Sequence, residues 1–351
     1  MNKTIKIAHH TISADSPAFI VAEISGNHNG DIHRAIEIIH SAKEAGADAV
    51  KLQTYTPDTI TLDCDNEHFK LNRGTIWDGT TLHALYQTAF TPWEWQPRLK
   101  EEAEKIGLIC FSSPFDFTAV DFMAGLNMPA YKIASYEIND IPLIRKAASQ
   151  KKPIIFATGI AYPEDISLAL QTCRDEGNED VIILKCVSSY PASFEDINLK
   201  NIPYLREEYD CLIGLSDHTP GGVVAVGAVT LGAVMVEKHL TLKRADGGPD
   251  AAFSMEPAEF AAMVNQIRDL EKALGHSEYS LTPKQIKERE GARSLFVVRD
   301  IGAGETLTPD NIRSIRPAAG LSPCYYEEVL GKTAACAIPR GTPLEPKMFG
   351  G

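Results

Sequence analysis

Two histidines occupy matching positions in consecutive apolar runs. His218 closes CLIGLSDH (211–218) just before a Pro-Gly turn, and His239 ends the apolar part of VMVEKHLT (234–241). Side chains alternate between the two faces of a strand. Ser216 and His218 therefore share one face of the first run, and Glu237 and His239 share one face of the second. Adjacent strands lie ~4.8 Å apart, so imidazoles at matching strand ends can reach a single metal ion. Two imidazoles with no thiolate in the set suit a divalent ion such as Mn2+, Mg2+ or Co2+, which keeps positions open for water and substrate. The plain alternative is a pair of strand-end histidines hydrogen-bonded to backbone. Asp217 has the opposite parity and reads as a supporting group rather than a ligand.

A second set of residues carries charge. Glu23 ends the run AFIVAEIS (18–25), where it can hold or deprotonate a metal-bound water, or form an ion pair with an inward lysine. His28 follows in a loop rich in Gly and Asn and also reads as a turn residue. Lys51 and Lys132 stand near the ends of AVKLQTY (49–55) and AYKIAS (130–135), and Gln53 shares the parity of Lys51. Ser112, Ser113, Ser135, Thr158, Ser188, Ser189 and Ser216 put hydroxyls at the ends of these and neighbouring runs. Lysines and hydroxyls facing helix N-termini suit a phosphate-bearing ligand. A desolvated barrel lysine is also what a Schiff-base lyase requires, and at this level both chemistries stay open.

The elements that must position these groups form a regular series. Eight β-rich runs lie at 18–25, 49–55, 108–113, 130–135, 153–159, 181–191, 211–218 and 234–241. Amphipathic stretches such as IHRAIEIIHSAKEAGA separate them, with apolar residues at helical spacing and Gly near the end. Eightfold alternation predicts a parallel (β/α)8 barrel, although a doubly wound open sheet alternates in the same way. The count of eight, and the lack of GxGxxG after the first run, favour the barrel. Barrel active sites lie at the C-terminal strand ends, where the histidines, lysines and hydroxyls fall. The connection from 56 to 107 is long and polar, and reads as an excursion over the barrel mouth.

Composition sets the outer bounds. A chain of 351 residues with 44% hydrophobic content and a net charge of −13 carries no basic stripe, which argues against a nucleic-acid partner. No run approaches the ~20 apolar residues of a membrane span. Seven cysteines, none in CxxC spacing and several inside apolar runs, read as reduced thiols and predict a cytoplasmic protein. After LTPKQIKERE (281–290) the pattern changes to short strands between Gly and Pro turns. That marks a β-rich module of about 60 residues, small enough to need docking onto a barrel or a partner.

The strings AEISGNHNG, KLQTY, YKIAS, ATGIA, GLSDHT and EKHLTL, with RPAAGLSP near the C-terminus, occur in order. Together they resemble the sialic acid synthase family from about residue 15 to the end. KLQTYTPDTIT, GTIWDG, LYQTAFTPWEW, CFSSPFD and YKIASYEINDIPLI look closer to its pseudaminic acid branch than to its N-acetylneuraminate branch. The resemblance implies a barrel over 1–280, a linker over 281–291 and an antifreeze-like (SAF) module over 292–351. It implies an enzyme that condenses phosphoenolpyruvate with an amino-sugar aldose, 2,4-diacetamido-2,4,6-trideoxy-altrose, to give pseudaminic acid and phosphate. A legionaminate or N-acetylneuraminate synthase is the alternative within the family, and a metal-free Schiff-base sugar lyase the alternative outside it.

Carried over residue by residue, the resemblance makes His218 and His239 ligands of a divalent metal, Mn2+ first. Glu23 orients a metal-bound water for attack on C2, and Glu23, Lys51 and Lys132 are the catalytic candidates. Lys51, Lys132, Ser135 and Ser216 bind phosphoenolpyruvate, Gln53, Glu137, Tyr190 and Asp250 surround the sugar, and Ser113, Thr158 and Ser188 are further substrate-binding candidates. Arg316 reaches a partner subunit's site, so the resemblance implies a domain-swapped homodimer. Ser188 stands where neuraminate synthases carry Asn, and Ala157 where they carry Ser.

Overall fold

The structure, a computed structural model, describes residues 3–72, 74–275 and 278–350. A short antiparallel hairpin, β1 (Thr4–Ile7) and β2 (His10–Ser13), comes first. Eight parallel strands follow: β3 (Phe19–Glu23), β4 (Ala49–Thr54), β5 (Ile109–Pro114), β6 (Tyr131–Ile133), β7 (Ile154–Ala157), β8 (Val181–Cys186), β9 (Leu212–Asp217) and β10 (Met235–His239). They pair in sequence order, and β10 closes the ring against β3. Closure rules out the open sheet and meets the expectation of a (β/α)8 barrel. The run at 181–191 is strand only as far as Cys186; residues 187–191 form a loop with a cis Tyr190–Pro191 peptide.

Strand alternation creates two apolar layers. Ile20, Ala22, Val50, Leu52, Ile183 and Leu215 face outward and pack with the helices. Phe19, Val21, Ala49, Phe111, Ile155, Leu184, Leu212 and Met235 face the barrel axis. The inner cluster also takes in Ile5, Ile7 and Ile12, so the N-terminal hairpin plugs the barrel at the N-terminal ends of the strands. Burying each isoleucine contributes about 1.5–3 kcal/mol, enough to hold a two-stranded hairpin that would not be stable alone. At Gly214, on the inner face of β9, an added Cβ would lie 2.6 Å from the Leu184 side chain and 2.7 Å from the Met235 carbonyl. Only glycine lets the inner layer close there.

The crossover helices follow ordinary rules. In Ile32–Glu44 the Asp31 carboxylate caps the N-terminus, accepting from His33 N at 2.8 Å. Its buried positions are Ala35, Ile38, Ile39 and Ala42, one helical stripe. The excursion between β4 and β5 contains helices Pro57–Ile60, Leu82–Ala89 and Gln96–Lys105 and a bridge between Lys70 and Thr81. No helix among the described residues is long and apolar enough to cross a membrane.

Contacts divide the chain after Gly275, a little before the boundary read from the sequence. The second unit carries a short helix, Pro283–Glu288, and two antiparallel pairs. These are β11 (Ser294–Val297) with β12 (Ile312–Ile315), and β13 (Thr333–Ala334) with β14 (Phe349–Gly350). Its own core includes Leu295, Val297, Leu307, Ile312, Ile338 and Leu344.

Candidate active site

The inner face of the barrel changes character along each strand. It runs from Phe19 and Val21 to Glu23, from Ala49 to Lys51 and Gln53, and from Met235 to Glu237 and His239. The apolar lower layers keep water out, and the polar upper layer is held in a low-dielectric mouth where charges interact strongly.

At its centre is a charge hub. Lys51 Nζ lies 2.5 Å from Glu23 Oε2 and 3.2 Å from Glu237 Oε1. Lys132 Nζ is also 3.2 Å from Glu237 Oε1, and Ser216 Oγ donates to the same oxygen at 3.2 Å. Ser113 Oγ accepts from Lys51 Nζ at 3.4 Å. Burial opposes ionisation of Glu237, but Lys132 and Lys51 reverse this and hold its carboxyl down at about 2. Burial also works against the Lys51 ammonium, and Glu23 and Glu237 more than offset it, so its pKa is raised. Burial lowers that of Lys132, with Glu237 pulling the other way. Burial pushes the Glu23 carboxyl up to about 7, with Lys51 opposing and Glu237 adding repulsion. Glu23 thus sits in the ion pair that was the simpler of its two readings, while Oε1 accepts from Ser25 N at 2.7 Å.

The two histidines lie side by side above this hub, with ring centroids 5.3 Å apart. His218 Nδ1 contacts the Val187 carbonyl oxygen at 3.0 Å, and His239 Nδ1 contacts Ser25 Oγ at 3.3 Å. The Val187 carbonyl can only accept, so His218 Nδ1 donates to it and Nε2 is the ring nitrogen left to face a metal, with the Ser25 hydroxyl bracing His239 Nδ1 in the same way from the end of β3. Burial pushes the His239 ring well below the usual imidazole range, and the neighbouring His218, Lys51 and Lys132 add to this, so it stays neutral. No cluster of three or more His, Cys, Asp and Glu donors occurs among the described residues. The donor set fits an ion held by two imidazoles that keeps several waters or substrate oxygens, as Mn2+ and Mg2+ do.

A hydroxyl cradle lies on the far side. Gly159 N donates to Ser135 Oγ at 3.1 Å. A Cβ added at Gly159 would overlap the Ser188 hydroxyl and come within 2.7 Å of Ser135 Oγ. Glycine here lets two hydroxyls and backbone N–H groups converge, a geometry that suits a phosphate or carboxylate. Thr158 is spent differently: its Oγ1 donates to the Leu184 carbonyl and accepts from Cys186 N, each at 3.3 Å. Ser112 faces outward, with its Oγ 2.7 Å from Thr54 Oγ1.

Aromatic rings wall the site. Tyr190 packs on His218 at 4.5 Å between centroids, and Phe253 lies 4.9 Å from His239 and 5.1 Å from Tyr190. Trp77, from the long excursion, lies 5.4 Å from Tyr190 and donates Nε1–H to the Pro249 carbonyl at 2.8 Å. The excursion therefore does reach the mouth. Asp250 sits in the same loop as Phe253, with Oδ2 3.5 Å from Gly26 N and a carboxyl raised by burial. Gln53 is half-buried opposite Ser113 in the ladder. His28 is a loop brace, accepting from Gly30 N at 3.1 Å and contacting Thr91 Oγ1 at 3.1 Å. Arg316 is exposed in the C-terminal unit and precedes a cis peptide to Pro317.

Four groups at the mouth escaped the sequence reading. Glu237 shares the parity of His239 without a role of its own, Gly159 stands inside ATGIA and Trp77 inside GTIWDG without being singled out, and Phe253 lies in an irregular loop. Glu237 carries the clearest signal, its position two residues before His239.

Glu137 yields a pH prediction. Its Oε2 is buried with no hydrogen-bond partner among the described residues, and burial pushes its carboxyl from 4.5 to about 7. A raised carboxyl binds a proton in the folded state that the unfolded chain has already lost. Its contribution to stability is therefore lost as pH rises from 4.5 to 7. In Glu137→Gln that loss disappears. The unfolding free energy of the variant relative to wild type should rise by up to about 3 kcal/mol across the window. Parallel denaturation curves at both pH values would discard this assignment.

A closed (β/α)8 barrel with a lysine–carboxylate hub, a hydroxyl cradle and two paired imidazoles at its mouth has the architecture of a barrel enzyme with its polar site at the C-terminal strand ends. The chain belongs to the NeuB family, which it matches over residues 38–279, and residues 292–350 match the SAF domain. It is 47% identical over 329 residues to the pseudaminic acid synthase of Helicobacter pylori, covering 93% of this chain and 96% of that one. It is 44% identical over 337 residues to the pseudaminic acid synthase of Campylobacter jejuni, covering 96% and 98%. A crystal structure of N-acetylneuraminic acid (sialic acid) synthetase from Leptospira borgpetersenii, in complex with citrate, superposes with a TM-score of 0.73 at 31% identity, covering 82% of this chain and 95% of that one.

Proposed function

We propose that this enzyme condenses phosphoenolpyruvate with 2,4-diacetamido-2,4,6-trideoxy-altrose to form pseudaminic acid and release phosphate. The observation that carries the substrate assignment is the 44–47% identity to pseudaminic acid synthases across almost the whole chain.

The geometry supports the reaction class. The nucleophile is C3 of phosphoenolpyruvate, so the reaction needs no nucleophile from the protein. Lys51 and Lys132 place two ammoniums beside the Ser135–Gly159–Ser188 cradle, suited to the carboxylate and phosphate of phosphoenolpyruvate. His218 and His239 would hold the divalent ion, Mn2+ first with Mg2+ or Co2+ as substitutes. When bound, the ion supplies Lewis-acid polarisation of the sugar aldehyde. C3 bonds to the aldehyde carbon, whose oxygen takes a proton and becomes a hydroxyl. Positive charge develops at C2, and the Glu23 and Glu237 carboxylates stabilise it electrostatically. Water adds at C2 with Glu23 accepting one proton, and the resulting C2 hydroxyl gives its remaining proton to the departing phosphate as the C2–O bond breaks, leaving the ketone. Gln53, Glu137, Tyr190 and Asp250 orient the sugar, with Ser113 and Ser216 holding the hub in register. Thr158 contributes by fixing the turn that carries Gly159.

Arg316 completes the sugar site from a second subunit in this reading, which calls for a homodimer; light scattering checks the mass. The decisive assay is phosphate release from phosphoenolpyruvate with precursor sugars of pseudaminic, legionaminic and neuraminic acid, each with and without Mn2+. Turnover confined to the first sugar is expected. Preference for either of the others would overturn the substrate, and borohydride trapping of pyruvate on a lysine would overturn the chemistry.

A further inference from the structure

The outer face of the barrel is largely apolar, and its buried polar positions include Thr54, Ser112, Lys185 and, directly behind the two histidines, an ion pair. Lys238 in β10 and Asp217 in β9 are ladder partners, and both point away from the axis. Their side chains are 1% and 0% exposed, with Lys238 Nζ 2.6 Å from Asp217 Oδ2. The same ammonium donates to the Thr219 carbonyl at 2.6 Å. Asp217 Oδ1 in turn accepts from Thr219 N at 2.9 Å and from Thr219 Oγ1 at 2.7 Å. The residues on both sides of His218 are thus tied to one ammonium, and that ammonium belongs to the residue immediately before His239.

We propose that Lys238 is a positioning residue, acting through Asp217 and Thr219 to hold the His218 and His239 rings at the separation one metal ion requires. The inference rests on the two-histidine metal seat proposed above. Its physical argument is one of cost. A buried ion pair is seldom more stable than apolar residues of the same volume, and retaining one amid apolar neighbours indicates a geometric demand rather than a gain in stability. The demand is visible: β9 ends at Asp217, so His218 stands beyond the last strand residue. Its ring is otherwise held by the Val187 carbonyl, by Cys186 Sγ 3.9 Å from Nδ1 and by the Tyr190 and Phe253 rings, none of which ties it to the strand that carries His239. His239, still on its strand, needs no such help. The Lys238 clamp makes the loose ligand move with the fixed one.

The test is direct Mn2+ binding to the full chain, read by the loss of the free-ion electron paramagnetic resonance signal, alongside thermal unfolding. Lys238→Met leaves a buried carboxylate unpaired and is at risk of misfolding. The double variant Asp217→Asn/Lys238→Met removes both charges, keeps an acceptor for Thr219, and is expected to fold. Removing an outer partner of a metal-holding imidazole weakens metal affinity by about 10–100-fold. The same weakening is expected for the double variant, with an unfolding temperature near that of wild type, and Lys238→Arg should recover part of it. A folded double variant with wild-type Mn2+ affinity would show that the pair is merely structural and sink the inference. Wild-type protein that binds no Mn2+ would instead sink the metal seat itself, and the inference with it.

Discussion

His239→Ala is expected to reduce phosphate release from phosphoenolpyruvate by a factor on the order of 10³ or more, with the fold intact, and His218→Ala should do the same. Lewis-acid polarisation contributes several kcal/mol to a transition state, and each 1.36 kcal/mol is tenfold in rate. Both rings sit at the strand ends rather than in the apolar layers, so neither truncation opens a cavity in the core. Circular dichroism should be unchanged, and added Mn2+ should no longer raise the unfolding temperature, because an ion that binds only the folded state stabilises only through its site. Full turnover by either variant in chelator-treated buffer would remove the metal from the reaction.

Glu237→Gln should have the largest effect on stability. The carboxylate faces Lys51 and Lys132, each 3.2 Å away, and its side chain is 3% exposed. Removing it leaves two buried ammoniums with only Glu23 between them. Breaking a buried pair by deleting one partner costs about 3–5 kcal/mol. The distinctive outcome is rescue: an anion in the cradle would supply the missing negative charge. Phosphate or phosphoenolpyruvate should therefore raise the unfolding temperature of the variant more than that of wild type. Equal shifts in both would mean that the two lysines do not face the anion site.

Much of this was legible in the chain because it depends on periodicity. The eight apolar runs match the eight barrel strands, and parity groups Lys51 with Gln53, Ser216 with His218 and Glu237 with His239, pairs that the structure finds on the inner side of the mouth. Parity also put Asp217 outside, where it pairs with Lys238. The N-terminal hairpin was readable in principle, since Ile5 and Ile7 alternate as a strand requires, but its target, the open end of the barrel, is assembled from distant residues.

What the linear order could not carry is convergence. Glu237 looks like an ordinary strand-end carboxylate until closure brings Lys51, Lys132 and Ser216 onto one of its oxygens. Gly159 is merely the last residue of its run until Ser135 and Ser188, which follow the strands on either side, leave no room for a Cβ. Trp77 and Phe253 lie far apart in irregular segments with no period to betray them, yet they meet Tyr190 over the histidines. The sequence by itself determined which side chains face the axis, because alternation along a strand is a local property of the backbone. Which of those side chains touch, and how each charge is balanced, was decided only by the tertiary structure, because ring closure and loop packing set distances between residues that no local rule relates.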